Sequence, residues 1–358
     1  MDIQHRTESR KLMCLGLIVL AIRLVLQMII DRRGAGNDTT DFFLGLLFGA
    51  GATLTLLGIW RNGRRGGPRH RVPPRTGRTA GAIALIAATA LASSGCSRAH
   101  HPVTVPVRGA SVYVDDGGAG GLPIVFIHGN GGTSQQWRSQ LQHFRTQRRA
   151  VAIDLPGFGK SAPPVDGDYS LDRMTEAIEG AVNTLGLDRF VIVGHSYGGA
   201  VVASYAAAHP QKVAGVVYVD AAASSLPLNE QQQEQLANAI RADKMAVVRP
   251  WFAPMLAPSE AAVSEEVFSA VEETSVDAFI GALFSLVNYD AKTVIGAYQG
   301  PRLAIVASAL EMPASFQNQF PEVEAVRIAG AGHWLMLDAA AEVTAAIEAF
   351  LQKLPPAS

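Results

Sequence analysis

The sequence predicts an α/β fold in which a mostly parallel β-sheet is covered by helices on both faces. From residue 105 onward, short apolar segments of strand-like composition alternate with segments of helical periodicity. The strand-like segments are continuously apolar, as strands are when both faces of their sheet are buried. The first 96 residues differ, because they carry 13 Lys and Arg but only 5 Asp and Glu around long apolar runs. They predict a membrane region in front of the sheet-forming domain.

Two apolar runs, at 12–30 and 42–60, are each long enough to cross a bilayer. At about 1.5 Å per residue, each helix would span roughly 28 Å, close to the thickness of the hydrocarbon core. Seven arginines and no acidic residue lie between Arg61 and Arg78, and the positive-inside rule places such a segment in the cytoplasm. A third apolar run at 79–95 would then cross the membrane again. The globular domain is therefore predicted on the extracytoplasmic side, with the lipid bilayer as the partner of the N-terminal region.

The run at 79–95 has a second interpretation, because it ends in small residues directly before Cys96. An arginine-rich flank, a short apolar stretch and small residues before a cysteine are typical of a bacterial lipoprotein signal. Cys96 would then be lipidated and residues 1–95 removed, and a start at Val72 would also give such a signal. Both interpretations stay open, and both place the globular domain in a bacterial cell envelope.

Beyond residue 96 the chain carries 17 basic and 26 acidic residues, a net charge of −9. Nucleic-acid binding needs clustered positive charge, so no nucleic-acid partner is expected. Both cysteines of the chain, Cys14 and Cys96, precede this part, which excludes a disulfide, a thiol nucleophile and a cysteine metal site from it. The pair His100–His101 stands alone, so no metal or other cofactor is expected.

The globular domain is predicted over 108–358, behind a polar, proline-containing tether at 97–107. Its predicted strands are Ser111–Val114, Ile124–Ile127, Ala150–Ile153, Arg189–Val193, Val213–Val219, Leu303–Val306 and Ala325–Ile328. Its predicted helices are Leu171–Leu185, Ser196–His209 and Ala340–Leu354.

Residues 221–300 interrupt this alternation of strands and helices. Two helical stretches are predicted there, Asn229–Val247 and Ser264–Val287, with no strand between them. A block inserted at one point is typical of a lid, so a helical cap is predicted over about 221–300. Its aromatic side chains would suit the roof of an apolar pocket, although packing within the cap is the simpler explanation for any one of them.

A serine at a sharp strand-to-helix turn is the predicted nucleophile. The sequence Gly194-His195-Ser196-Tyr197-Gly198 follows an apolar strand and precedes an apolar helix. At such a turn the serine has a strained backbone and an exposed hydroxyl, and the flanking glycines leave room for it.

A serine hydroxyl needs a base, and that base needs an acid to orient it. Past the serine turn the histidines are His209, at a helix end, and His333, on a glycine-rich loop behind the last strand. His333 is the predicted base. Asp220 directly follows one strand, and Glu311 lies several residues beyond the next. Asp220 is preferred because it is tied to a strand end, and Glu311 stays as the alternative.

A second glycine-rich turn, His128-Gly-Asn-Gly-Gly132, follows the strand at 124–127. Such a turn lets backbone N–H groups approach a substrate closely. The N–H groups of Asn130 and Tyr197 are the predicted oxyanion hole, and the Asn130 side chain could instead only hold its loop.

Together these segments resemble the α/β-hydrolase fold superfamily over about residues 105–354. The motifs that carry the resemblance are His128-Gly-Asn-Gly-Gly, Asp154-Leu-Pro-Gly-Phe-Gly-Lys-Ser161, Gly194-His-Ser-Tyr-Gly-Gly199 and Gly332-His-Trp-Leu-Met-Leu. The resemblance implies an eight-stranded, mostly parallel sheet, a helical cap after the sixth strand, and a Ser–acid–His triad with Ser196 and His333. The family usually places an aspartate after the seventh strand, where this chain has none before Glu311. Some members place the acid after the sixth strand, where Asp220 stands.

The predicted function is that of a membrane-attached serine hydrolase that cleaves an ester or related acyl bond in an apolar small molecule. A serine nucleophile argues against dehalogenase and epoxide hydrolase chemistry, which would use an aspartate. Carbon–carbon bond hydrolysis and perhydrolysis use the same triad and stay open. A different alternative is a catalytically silent binding or scaffold protein of this fold, which the absent aspartate after the seventh strand would explain.

Overall fold

The computed structural model describes residues 101–224, 226–308 and 316–355. The predicted membrane spans at 12–30, 42–60 and 79–95 lie outside the described residues, and so does Cys96. Within the described ranges, no helix combines the length and the apolar character that crossing a membrane requires.

An eight-stranded β-sheet forms the centre of the domain, in the order β1-β2-β4-β3-β5-β6-β7-β8. Its strands are β1 His101–Val107, β2 Ala110–Gly117, β3 Ile124–Ile127, β4 Ala150–Ile153, β5 Phe190–His195, β6 Val213–Val219, β7 Arg302–Ala307 and β8 Glu324–Ile328. β2 pairs antiparallel with β1 and with β4, and the other neighbours are parallel. The predicted mostly parallel sheet is therefore confirmed. The central strands β3 to β6 are buried along their whole length, which explains their continuously apolar sequences.

The predicted tether at 97–107 is wrong in its described part, because residues 101–107 form the edge strand β1. Val105 is fully buried, Val103 and Val107 are partly buried, and the residues between them are exposed. The prolines at 102 and 106 argued against a strand, but proline is tolerated on an edge strand when its missing N–H would face solvent. The alternation of valines was the signal that the prolines masked.

Helices cover both faces of the sheet. They are α1 Arg138–Phe144, α2 Leu171–Thr184, α3 Tyr197–Ala208, α4 Glu230–Ala242, α5 Lys244–Phe252, α6 Ala261–Glu273, α7 Val276–Phe284, α8 Ala291–Ala297, α9 Phe316–Gln319, α10 Leu335–Asp338 and α11 Ala340–Lys353. Residues of α2 and α3 pack on one face, and residues of α1 and α11 pack on the other. Each large aliphatic side chain buried in these layers contributes roughly 1.5–3 kcal/mol to the free energy of unfolding.

The segment between β6 and β7 contains the helices α4 to α8, where two longer helices were predicted and α8 was not. The predicted helix Asn229–Val247 is divided at Asp243, whose backbone is extended and whose carboxylate accepts the N–H of Ala246 at 2.9 Å. The predicted helix Ser264–Val287 is divided in the same way at Ser275, which caps α7. Both residues are good N-caps, and a cap starts a new helix where periodicity alone continues the old one.

Candidate active site

Ser196 lies at the turn between β5 and α3, where its backbone has φ 53° and ψ −120°. A residue with a side chain rarely has this conformation, so the turn is strained. The turn leaves no room for a side chain on Gly194, because a Cβ there would lie 2.3 Å from the carbonyl oxygen of Gly198. The N–H of Ser196 donates to the carbonyl of Val219 at the end of β6. The serine is therefore fixed at the carboxyl edge of the sheet.

Asp220 follows β6, the strand beside β5, and also has a positive φ of 41°. Its Oδ2 accepts a hydrogen bond from Nδ1 of His333 at 2.6 Å, and its Oδ1 accepts the N–H of Ala307 at 3.2 Å. Both side chains of the pair are 16% exposed, so the ion pair that a protonated His333 would form is largely shielded from water. Glu311, the alternative acid, lies outside the described residues.

The loop that carries His333 is held at several points. The N–H of His333 donates to the carbonyl of Met255 at 3.0 Å, in the segment that follows α5. Asp338 Oδ2 accepts both the N–H of Gly332 at 2.8 Å and the hydroxyl of Ser259 at 2.7 Å. The Trp334 ring stands edge-on to the imidazole, with centroids 5.0 Å apart. The base candidate thus has fixed backbone and ring contacts in addition to its acid.

The glycine-rich turn after β3 lies directly against the serine. A Cβ built on Gly129 would lie 3.1 Å from Cβ of Ser196, a distance that only glycine allows without a shift. The side-chain amide of Asn130 donates to the carbonyl of Phe279 in α7, at 3.0 Å. This bond ties the turn to the helices between β6 and β7.

The Tyr197 phenol is buried, and burial raises its pKa, so this side chain stays protonated near neutral pH.

Three further residues support this site, and motif reasoning did not assign them a role. The N–H of Leu155 donates to Nε2 of His128 at 3.0 Å, so Nδ1 of His128 carries the proton that bonds the Gly129 carbonyl. Asp154 accepts the N–H groups of Ser134 and Lys160 through its two oxygens. His195 donates from Nε2 to the carbonyl of His333 at 2.9 Å. All three residues lie inside the glycine-rich motifs of the sequence, which could have indicated that they support the site.

The structure contains one of the two contacts predicted for His333, the contact with Asp220. Asp220 and His333 are in direct contact, whereas the hydrogen bonds of the described residues include none between the Ser196 hydroxyl and the His333 ring. The ring of His195, the residue before Ser196, has its centroid 4.7 Å from that of the His333 ring. No group of three or more potential metal-ligating side chains occurs within the described ranges.

Both the sequence and the fold are similar to those of a known class of proteins. The sequence profile of the alpha/beta hydrolase fold matches residues 123–254. Among solved structures, a bromoperoxidase from Bacillus anthracis superimposes with a TM-score of 0.64 over 71% of this chain and all of its own, at 20% identity. The described domain therefore has the alpha/beta hydrolase fold.

Two curated relatives differ in activity. The dihydrolipoyllysine-residue acetyltransferase component of the acetoin cleaving system of Pseudomonas putida is 30% identical over 66% of this chain and 65% of its own length. A 2-hydroxymuconate semialdehyde hydrolase from Pseudomonas sp. (strain CF600) is 33% identical over 34% of this chain and 44% of its own length. The chain thus matches less than two thirds of either relative.

Proposed function

We propose that the protein is a serine hydrolase that cleaves an ester or related acyl bond, and that its N-terminal region attaches it to the membrane. The observation that carries the proposal is the 2.6 Å contact between Asp220 and His333, at the sheet edge where the strained Ser196 also lies. An acid and an imidazole in this contact make a base able to activate a serine. The hydrolases among the relatives support the general class of reaction.

In the proposed reaction, Ser196 Oγ attacks the acyl carbon while its proton passes to Nε2 of His333. Asp220 holds the opposite nitrogen and stabilises the imidazolium that forms. The proton is then given to the leaving alcohol, and water repeats the sequence to release the acid. The serine–histidine hydrogen bond has to form for this step, and in free enzymes such bonds are often long until substrate binds.

The oxyanion of the tetrahedral intermediate would accept hydrogen bonds from the N–H groups of Asn130 and Tyr197. Support comes from the close approach of the glycine-rich turn to Ser196 and from the position of Tyr197 at the start of α3. Unpaired N–H groups at a helix start favour a developing negative charge. Loss of one such donor typically costs on the order of 3 kcal/mol of transition-state stabilisation.

A fluorophosphonate probe tests the nucleophile. We expect the wild-type protein to be labelled at Ser196, because the probe reacts only with an activated serine, and Ser196→Ala to remain unlabelled. Mass spectrometry of the modified peptide identifies the site, and Ser204→Ala, at a different position of α3, is the matched control. A folded wild-type protein that is never labelled would contradict the proposal and favour a silent binding or scaffold protein.

The substrate class needs a second experiment. p-Nitrophenyl esters of increasing acyl length would show turnover that rises with chain length if the pocket is apolar. One relative hydrolyses 2-hydroxymuconate semialdehyde by its name, so carbon–carbon bond hydrolysis is the second candidate function. Turnover of that compound, without ester turnover, would replace the ester proposal.

Membrane attachment is tested on the full chain expressed in a bacterium. The proposal expects the protein in the membrane fraction after a high-salt wash, and a domain accessible to protease added to spheroplasts. The intact mass would distinguish the two interpretations: a protein whose first residue is a lipid-modified Cys96 supports the lipoprotein interpretation, and the mass of the full chain supports three retained spans. A protein found wholly in the soluble cytoplasmic fraction would overturn this part.

A further inference from the structure

His195 occupies a position that the proposed reaction does not use. Its side chain is 1% exposed, and it lies between the glycine-rich turn and the His333 loop. A Cβ on Gly129 would come within 2.8 Å of its Nδ1, while its ring centroid is 4.7 Å from that of His333 and 5.9 Å from that of Trp334. The ring therefore contacts both loops that flank the serine.

One hydrogen bond fixes the protonation of this ring. Nε2 lies 2.9 Å from the backbone carbonyl of His333, and because a carbonyl can only accept, Nε2 carries the proton. Nδ1 has no hydrogen-bond partner among the described residues, although it is buried. Burial, followed by the nearby charges of His333 and His128, holds the pKa of His195 well below its usual range. The ring is therefore neutral near pH 7.

Packing alone does not account for a histidine here. An apolar side chain of similar size would fill the same space without leaving a buried nitrogen unpaired, which is costly. A side chain with an N–H donor supplies something that an apolar side chain cannot, namely the hydrogen bond to the backbone carbonyl of His333. That bond completes a set of three: Met255 accepts the backbone N–H of His333, His195 bonds its carbonyl, and Asp220 bonds its ring.

We propose that His195 is a positioning residue, whose Nε2–H holds the backbone carbonyl of His333 and so aligns the imidazole between Asp220 and Ser196. The proposal rests on the proposed function for its catalytic consequence, although the alignment itself is a property of the fold. Because His195 is the residue directly before the nucleophile, the same turn of chain that strains the serine also holds its base. Nucleophile and base are thus tied together through one short segment.

Two substitutions separate the donated hydrogen bond from the volume of the ring. In His195→Gln the side-chain amide keeps an N–H donor at the reach of Nε2, and in His195→Met the volume is similar but the donor is lost. We expect the Met variant to lose roughly ten- to a hundred-fold in kcat, with KM within about twofold, because misplacement of a catalytic group by about 1 Å costs this much. The Gln variant should keep kcat within about threefold of wild type, since its geometry is retained. His143→Gln, which changes a partly exposed histidine bonded to Glu348, is the control and should match wild type.

A second measurement does not depend on turnover. The proton shared by His333 Nδ1 and Asp220 should give a far-downfield proton NMR signal, assigned by its loss in Asp220→Asn. We expect this signal in wild type and in His195→Gln, and its loss by exchange in His195→Met. Should the Met variant fail to fold, His195→Asn, whose shorter amide does not reach the carbonyl, takes its place.

The outcomes separate this proposal from the proposed function. If the donor-free variant keeps both the signal and kcat, or if Gln loses as much as Met, the positioning role is overturned while ester hydrolysis by the wild type stands. If the wild type turns over no ester and is not labelled, the proposed function fails. The NMR comparison then still decides whether His195 aligns His333.

Discussion

At the scale of single residues, two strained positions define the candidate site. Ser196 and Asp220 are non-glycine residues with positive φ, and they follow the neighbouring strands β5 and β6. Each such conformation costs of order 1–3 kcal/mol and persists only where the surroundings determine it. The backbone N–H of each residue is bonded to the neighbouring strand, that of Ser196 to Val219 of β6 and that of Asp220 to Ile305 of β7. The strain therefore lies at the two residues proposed to share His333.

The identity of the acid gives a prediction at this scale. Asp220→Asn should lower kcat by about 10³–10⁴, because an amide can donate to Nδ1 and so favour the wrong imidazole tautomer. Glu311→Gln, the matched control, should leave kcat close to that of wild type. Steady-state rates on a p-nitrophenyl ester measure both. A large loss in Glu311→Gln together with an active Asp220→Asn would transfer the role to Glu311.

At the scale of elements, a buried ion pair connects β2 to the residue directly before β4. Arg149 contacts both carboxylate oxygens of Asp116 at 2.8 Å, and the two side chains are 12% and 4% exposed. Arg149→Met should lower the free energy of unfolding by about 3–5 kcal/mol, because it leaves a buried carboxylate without its partner. The control is Arg138→Met at the exposed pair with Glu266, where the loss should stay below about 1 kcal/mol. Urea unfolding measures both, and equal effects would contradict the argument.

The strands show which parts of the fold could be predicted from the sequence and which could not. The bounds of β3, β4 and β6 follow from short, continuously apolar runs, because a buried central strand leaves no other pattern. β1 was missed because its prolines are acceptable only at a sheet edge, and the edge is a property of the whole sheet. Local motifs indicate Ser196 and His333 as candidates, and the strand end before Asp220 favours it over Glu311. The contact of Asp220 with His333 and that of His195 with the His333 loop depend on spatial proximity, which the sequence does not give.

At the scale of the whole molecule, two buried histidines make stability depend on pH. Burial lowers the pKa of His128 and lowers that of His195 further. Since both groups bind a proton more readily in the unfolded chain, the unfolded state gains protons first as the pH falls below about 6.5. The stability present at pH 7 and above is therefore lost on acidification, by up to about 1.4 kcal/mol per pH unit for each histidine.

Urea unfolding between pH 7.5 and pH 5 measures this dependence. The slope should be positive with pH in the wild type and smaller in His195→Gln, which removes one of the two groups. Surface histidines set the background, so His143→Gln serves for comparison. An equal slope in wild type and His195→Gln would show that His195 does not titrate differently in the two states.

The attachment of the His333 loop to residues 255–259 has a consequence for how substrate reaches the serine. Met255 bonds the loop directly and Ser259 bonds it through Asp338. If the helices between β6 and β7 moved away as one piece, they would displace His333, the proposed base. In the proposed reaction, substrate has to enter by a route that leaves residues 255–259 in place, so that His333 keeps its contacts. Under the proposed function, both the entry of substrate and the alignment of His333 would therefore depend on the same few hydrogen bonds.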